Sequence, residues 1–392
     1  MLRVLLRLLL ATAVMACGGP EKPVKHAKKK SQQRDVRALL SEARDDAKNG
    51  DYDAADKAYA EAYALDKEFD VLEEHVNFLV HAGRATKAVA TAKEYYDANV
   101  SDTKGYTLYA ETLLSAGKGQ EALEIAGELI KLNGDDPSGH EKKGRALILL
   151  EKPEEGLDEL HRAAHLDPSV ITYHMSLGTA LLSLGKVDEA ALEFRAAVKI
   201  APDDAEAHAM LGGALIKQSE LGEAEEHLQK AKELDPRSGR AYFQLGLLYN
   251  AQKKQAEAEI ALSKAVQLSP NESLYWYAYG EIYRLQERFD EAISAYKKAV
   301  DLDPPYFKAL QKLGLLLAER KQYDEAEIVL TQAIRRDPKN PVSYLQLGAV
   351  YGAKHKNKQA IDAYQKYLEL APKSDPDRGR AHEAINELKQ KK

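Results

Sequence analysis

The sequence has almost no cysteine, since Cys17 is the only one among 392 residues. An intramolecular disulfide is therefore impossible, and the rest of the chain offers no thiolate for catalysis or metal binding. No glycine-rich phosphate loop follows a strand pattern. His161 and His165 have a spacing that suits a metal, but no third ligand is evident nearby, so we interpret them as solvated helix-face residues. We expect no enzymatic activity, no bound metal and no cofactor apart from a covalent lipid.

Long apolar runs are also scarce. The run within residues 1–16, MLRVLLRLLLATAVMA, is too short to span a bilayer and is interrupted by Arg7. It begins with basic residues and ends in small residues just before Cys17. That order is typical of a secretory signal peptide, which we predict over residues 1–16.

Charge is distributed unevenly along the chain. Residues 1–34 carry eight lysines and arginines against one acid, so the net charge of −6 conceals a more acidic body. An acidic body argues against nucleic acid as the ligand. Residues 17–34 follow the signal, are rich in glycine, proline and lysine, and lack apolar periodicity, which predicts a disordered basic tether. Its lysines suit either contact with anionic lipid or cell-wall polymer, or solubility alone.

What the sequence does contain is a strict repeat of 34 residues. A small residue recurs in each of two helical patterns, where two helices would cross closely. In the first helix these positions are Gly178, Gly212, Gly246, Gly280, Gly314 and Gly348, and in the second they are Ala190, Ala224, Ala258, Ala292, Ala326 and Ala360. One helical hairpin cannot bury both of its faces, so the copies are expected to stack in series.

Residues 273–304 resemble the tetratricopeptide repeat (TPR) through Trp276, Gly280, Ala292 and Pro304. The resemblance implies an all-α fold, a TPR α-solenoid forming a right-handed superhelix of about ten helix-turn-helix repeats. Residues 36–136 resemble three divergent repeats, residues 137–372 resemble seven clear ones, and residues 375–390 are expected to form a capping helix.

Residues 14–17, Val-Met-Ala-Cys, resemble the lipobox of bacterial lipoproteins. That resemblance implies removal of the signal before Cys17 and attachment of lipid to that cysteine. Gly18, which follows, resembles the signal for the outer membrane, with the protein facing the periplasm of a bacterial envelope. The alternative is an ordinary secretory signal with an incidental cysteine.

In the TPR family a concave groove is lined by the second, fifth, ninth and twelfth residues of the first helix of each repeat. Carried onto this sequence, these positions predict a groove for a protein partner formed by Arg240, Phe243, Leu247, Asn250, Leu274, Tyr277, Glu281, Arg284, Lys308, Gln311, Leu315, Val342 and Leu345. Its apolar residues would form a stripe that binds an extended or helical protein segment. The alternative is that the stripe packs inside a tight superhelix.

Repeats and anchor together resemble the outer-membrane TPR lipoproteins that help assemble envelope machines. The function this implies is a membrane-anchored, non-enzymatic scaffold for a type IV pilus, a gliding or surface-motility machine, or a secretion machine. An adaptor that recruits peptidoglycan hydrolases or proteases is the alternative. A regulatory or sugar-transferase role is disfavoured, because Asn250 stands alone where that class has a ladder of asparagines. We expect no nucleic-acid or small-molecule ligand.

Overall fold

The structure, a computed structural model, describes the backbone of residues 22–303 and 306–390 and the side chains from residue 35 onward. The predicted signal peptide, Cys17 and Pro304 lie outside the described residues. Within them the chain forms 21 α-helices and no strand. The helices are α1 Lys22–Asn49, α2 Tyr52–Leu65, α3 Phe69–His81, α4 Ala85–Ala98, α5 Thr103–Ser115, α6 Gly119–Leu132, α7 Pro137–Leu149, α8 Pro153–Leu166, α9 Ile171–Ser183, α10 Val187–Ile200, α11 Ala205–Gln218, α12 Leu221–Leu234, α13 Gly239–Ala251, α14 Gln255–Leu268, α15 Ser273–Leu285, α16 Phe289–Leu302, α17 Phe307–Glu319, α18 Tyr323–Arg336, α19 Pro341–Ala353, α20 Asn357–Leu370 and α21 Arg378–Gln390.

The chain divides into two compact units, residues 1–180 and residues 181–392. Unit 1 contains the pairs α1/α2, α3/α4, α5/α6 and α7/α8, and most of α9. Unit 2 contains α10, the five pairs from α11/α12 to α19/α20, and α21. We call the odd-numbered helices up to α19 A helices and the even-numbered ones B helices. Within each unit a helix packs mainly on its own partner and on the next pair.

The small residues lie where an A helix and a B helix approach most closely. A Cβ atom added to Gly144 would lie 2.8 Å from the backbone oxygen of Gly156, and one added to Gly156 would lie 2.8 Å from that of Gly144. In unit 2, a Cβ atom on Gly280 would lie 2.7 Å from the ring of Tyr296, which is completely buried. Small residues at these positions therefore let the two helices of a repeat approach closely.

The turn between the A and B helices is the same in nine repeats. One residue in each has a positive φ, and these residues stand 34 apart: Gly83, Gly117, Glu151, Gly185, Ser219, Lys253, Glu287, Lys321 and His355. The next amide donates back to a carbonyl of the last helical turn, as Gln322 N does to Leu317 O over 2.8 Å. This is the hydrogen bond of a Schellman motif, which satisfies carbonyls left open at a helix end.

The first repeat departs from the strict period. Helices α2 and α4 begin 33 residues apart, whereas α4, α6 and α8 begin 34 apart. Helix α1 also begins at Lys22, inside the segment predicted as a disordered tether. The difference has a physical reason: proline is tolerated in a first helical turn, and no proline or glycine follows Pro23 before Gly50, while lysine, alanine and glutamine favour helix.

The last helix, α21, covers one end of unit 2. Its Ala381 and Ile385 are buried against Tyr367, which lies in α20, and against Ala371, which directly follows that helix. The Tyr367 hydroxyl donates to Asp375 over 2.7 Å and fixes the connecting segment. Helix α21 packs as a capping helix, because it buries apolar surface that another repeat would otherwise cover.

Candidate functional site

A polar groove of about 740 Å³ lies in unit 1 on the A helices α3, α5, α7 and α9. We call it the unit 1 groove. Its lining combines charged, hydroxyl and amide side chains with a few apolar ones: Phe69, Asp70, Glu73, Asn77, Thr103, Lys104, Thr107, Leu108, Glu111, Asp136, Ser138, Glu141, Lys142, Arg145, Thr172, Met175 and Ser176.

The lining follows the same register as the groove predicted in unit 2. Counting each A helix from its first residue, the second, fifth and ninth positions of α7 are Ser138, Glu141 and Arg145, and all three line the groove. The same three positions of α3 and α5 line the groove, and so do the second and fifth positions of α9. The sequence signal of this groove is weak, because the aromatic and aliphatic residues that mark the predicted groove of unit 2 are replaced by polar residues at these positions.

The centre of the groove is a network of two acids and two bases. Arg145 on α7 forms a bidentate pair with Glu111 on α5, over 2.6 and 3.0 Å, and also contacts Glu141 at 3.2 Å. Lys142 Nζ lies 2.7 Å from a carboxylate oxygen of each of the two glutamates. The Ser176 hydroxyl, from α9, donates to Glu141 over 2.6 Å. The network thus joins three successive A helices.

Pairing stabilises the charged forms of Glu111, Lys142 and Arg145. Burial alone would raise the pKa of Glu111, but the charges of Lys142 and Arg145 lower it to about 2. Burial opposes the charge of Lys142, but Glu141 and Glu111 outweigh it and raise the pKa of that lysine. The pKa of Arg145 is raised by the same two carboxylates. Two negative and two positive charges leave the centre neutral, and each group is already paired.

The rim of the groove on α3 is different. Asp70 and Glu73 are exposed, and among the described residues no cation lies within ion-pair distance of either. Lys104 Nζ, from α5, lies 5.2 Å from the centre of the Phe69 ring, which is a cation–π distance. We call Asp70 and Glu73 the acidic rim.

The groove predicted in unit 2 is only partly open. Phe243 is buried, 5% exposed, and stacks on Tyr275 with ring centroids 4.4 Å apart. Phe243 was predicted to form part of the apolar stripe that binds a partner, but a ring on the next A helix covers it. Leu247 also packs partly buried against this cluster, whereas Leu274 is 45% exposed.

The other aromatic anchor of that groove, Tyr277, is half-buried. Its ring packs edge-on against Tyr306 with centroids 5.3 Å apart, and it also contacts the Tyr296 ring. The Tyr296 hydroxyl donates to Glu281, which in turn pairs with Arg284 over 3.1 Å. These side chains form an interlocked layer rather than a free stripe.

The remaining predicted residues line the same face of unit 2 in varied states. Arg240 is exposed and pairs with Glu206 over 2.6 Å, and Gln311 donates to Asn340 over 3.3 Å. Lys308 and Val342 are exposed, and the partly buried ones are Asn250, Leu315 and Leu345. The polar members are thus mostly engaged within the protein.

Neither a metal site nor a membrane span stands out in the part of the chain that the structure describes. His161 and His165 are both exposed on α8, and no group of three or more potential ligands is found among the described residues. No helix in the searched residues combines the length and the apolarity that crossing a bilayer requires.

Two models of tetratricopeptide repeats match the chain. The tetratricopeptide repeat family matches residues 142–205, 175–238 and 209–273, and the TPR domain of cytochrome c-type biogenesis protein H matches residues 256–378. No curated protein gives a significant match.

Among solved structures, the chain resembles the APC/C hetero-tetramer Cut9–Hcn1, with a TM-score of 0.60 and 17% identity, over 76% of this chain and 58% of the matched one. Yeast Tom70 is 17% identical over 92% of this chain and 96% of its own, with a TM-score of 0.42. PilF of Pseudomonas aeruginosa is 22% identical over 60% and 100%, with a TM-score of 0.48. Identities this low show the fold alone. The all-α tetratricopeptide fold is confirmed.

Proposed function

Because tetratricopeptide repeats bind other proteins, we propose that this chain, built from such repeats, is a scaffold that helps to assemble or stabilise a complex of the bacterial cell envelope. The observation that carries the binding role is the unit 1 groove. It is large enough for a peptide segment, and a network spanning three A helices holds its shape before any ligand arrives.

The chemistry of the groove suits recognition. Hydroxyl and amide side chains such as Thr172 and Asn77 can hydrogen-bond a peptide main chain, and Met175 offers an adaptable apolar contact. The charged centre is fully paired, so it resembles a rigid platform more than a reactive group. The proposal therefore includes no enzymatic activity.

The envelope location is proposed from the sequence. The predicted signal peptide and the lipobox-like residues before Cys17 support a lipid anchor in the outer membrane, with the repeats in the periplasm. Incorporation of labelled palmitate by the native chain, and its loss in Cys17→Ser, is the expected result. Equal labelling of both would contradict the anchor.

The complex that we propose this scaffold assists is a type IV pilus, a gliding or surface-motility machine, or a secretion machine. The alternative function is an adaptor for peptidoglycan hydrolases or proteases, which the basic composition of residues 17–34 favours if its lysines touch cell-wall polymer. Both functions use the repeats to hold a protein, and they differ in which protein is held.

Photocrosslinking in cells tests the proposal. A crosslinking amino acid is placed at position 175 in the unit 1 groove, at position 277 in unit 2, and at the exposed position 161 on a B helix as control. We expect position 175 to capture a pilus, motility or secretion subunit that position 161 does not capture.

Capture of a hydrolase or protease from position 175 would support the adaptor instead. Specific capture from position 277 alone would move binding to the face originally predicted from the sequence. If all three positions capture the same proteins equally, the groove is not the binding surface and the proposal fails at its site.

A further inference from the structure

We propose that the unit 1 groove selects a basic, extended segment of its partner protein and places lysine or arginine side chains against the acidic rim. This rests on the proposed scaffold function and adds the chemistry of the partner. The choice among basic, neutral and acidic segments follows from which charges in the groove are already paired and which are free.

The acidic rim holds the free charge. Asp70 and Glu73 are three residues apart on α3, so their carboxylates lie on the same helix face, one turn apart. Both side chains are exposed, both line the groove, and no described cation pairs with either. A partner with one or two basic side chains would gain ion pairs there without displacing a contact within the protein.

The one unpaired cation of the described lining does not compensate for that rim. Lys104 lies over the ring of Phe69, the residue that precedes Asp70. It makes no ion pair with either rim carboxylate. Its position also shows that the ring at this end of the groove accepts an ammonium group, which an aromatic face attracts electrostatically. Two free carboxylates against one lysine leave the rim negative.

An acidic segment would find no unpaired cation at the centre of the groove. Arg145 and Lys142 already pair with Glu111 and Glu141. A carboxylate from a ligand would have to compete with Glu111 for Arg145, and a displaced Glu111 would lose the two cations that pair with it. A basic ligand needs no such exchange, because the rim carboxylates are free and hydrated.

The test is fluorescence anisotropy with the full chain and three labelled peptides of equal length. The basic probe is a synthetic KPVKHAKKKSQQR, the sequence of residues 22–34, the neutral probe has every lysine and arginine replaced by glutamine, and the acidic probe has them replaced by glutamate. Two exposed ion pairs predict about tenfold tighter binding of the basic probe than of the neutral one. The preference should shrink as sodium chloride is raised.

Matched variants assign the preference to the rim. In Asp70→Asn/Glu73→Gln we expect the basic and neutral probes to bind within about twofold of each other, because the ion pairs are gone. The control Glu383→Gln/Glu387→Gln makes the same change of charge on exposed residues of α21 and should retain the preference. Circular dichroism of both variants checks that they fold.

Three results would overturn the inference: equal binding of the three probes, tighter binding of the acidic probe, or an unchanged preference in the rim variant. In each of these cases the scaffold function stands if position 175 still captures a partner in cells. If no probe binds and position 175 captures nothing specific, both proposals fail together.

Discussion

The indole Nε1 of Trp276 donates a hydrogen bond to the backbone carbonyl of Pro270, over 2.8 Å. We call this hydrogen bond, from the side chain of the fourth residue of an A helix to the carbonyl six residues earlier, a tie. It recurs with other side chains. Its other members are Tyr106 to Val100, His174 to Pro168, His208 to Pro202 and Tyr344 to Pro338. Each tie fixes the path of the chain from one repeat into the next.

Removing the donor at one tie should weaken its repeat. We expect Trp276→Phe to lower the free energy of unfolding by about 1 kcal/mol, through loss of one hydrogen bond and some buried area. Trp276→Tyr should lose less, because Tyr344 makes the same tie with a phenol. Urea unfolding measures both. Equal losses in the two variants would show that ring size matters and the hydrogen bond does not.

The helix crossing at Gly144 should be destabilised by the addition of even one methyl group. In Gly144→Ala the new Cβ atom would meet the Gly156 backbone oxygen at 2.8 Å, and a backbone atom cannot move aside as a flexible side chain can. We expect a loss of about 1–3 kcal/mol from overpacking. Gly127→Ala is the control, since nothing lies within 4 Å there and alanine favours helix by about 1 kcal/mol. Stabilisation by both substitutions would contradict the close crossing.

The turns between A and B helices whose residue of positive φ is not glycine should be stabilised when that residue is replaced by glycine. Lys321 has a φ of 61°, which is a left-handed conformation. That conformation costs about 1–2 kcal/mol in conformational free energy for a residue other than glycine, whereas glycine adopts it freely. Because glycine also loses more backbone entropy, we expect a net gain of up to about 1 kcal/mol for Lys321→Gly in thermal unfolding. Gly117→Ala, at the equivalent turn with a φ of 72° and no neighbour within 4 Å, should lose a similar amount. A destabilised Lys321→Gly would argue against this turn geometry.

The lowered pKa of His227 predicts a dependence of stability on pH. His208 Nε2 donates to Pro202 O, so neutral His208 can only accept at Nδ1, which lies 2.9 Å from the Nδ1 of His227. Burial lowers the pKa of His227, and His208 lowers it further; Arg195 also lowers it, while Glu223 and Glu226 oppose these effects. A lowered folded pKa means that the unfolded chain binds more protons. Stability should therefore fall as pH drops below about 6.5.

The variant that checks this is His227→Ala. Alanine stands at the equivalent position of three other repeats, at Ala261, Ala295 and Ala363, so the fold tolerates it. Thermal unfolding between pH 7.5 and pH 5.5 should show a smaller loss in the variant than in the native chain. If the two curves lose stability in parallel, His227 is not the group that titrates.

The network of the unit 1 groove should be costly to break at one point. Glu141 is almost completely buried, so Glu141→Gln leaves Lys142 and Arg145 with one carboxylate between them. We expect a loss of about 3–5 kcal/mol, typical of an uncompensated buried charge. Glu141→Leu/Lys142→Leu removes one charge of each sign and should recover most of that loss. A double variant less stable than the single one would mean that packing dominates.

The sequence predicts the repeats better than it predicts the binding surface. The 34-residue period placed the helix crossings because small residues at fixed spacing are visible without coordinates. The pairing of Glu111 with Arg145 also has a signal, since opposite charges stand 34 residues apart at the ninth position of successive A helices. The partial burial of this pair has no such signal, because it depends on three helices at once. Phe243 shows the same limit: its position pointed to the groove, but the Tyr275 ring that covers it belongs to the next repeat.

Contacts within each unit join helices that are neighbours, or next neighbours, along the chain. The contact order of such an architecture is low for its length, because no contact has to close a loop longer than about two repeats. Low contact order is associated with fast folding. Each unit should therefore begin to fold at any pair of adjacent repeats, including on a ribosome while later repeats are still being synthesised, and should grow outward from that nucleus.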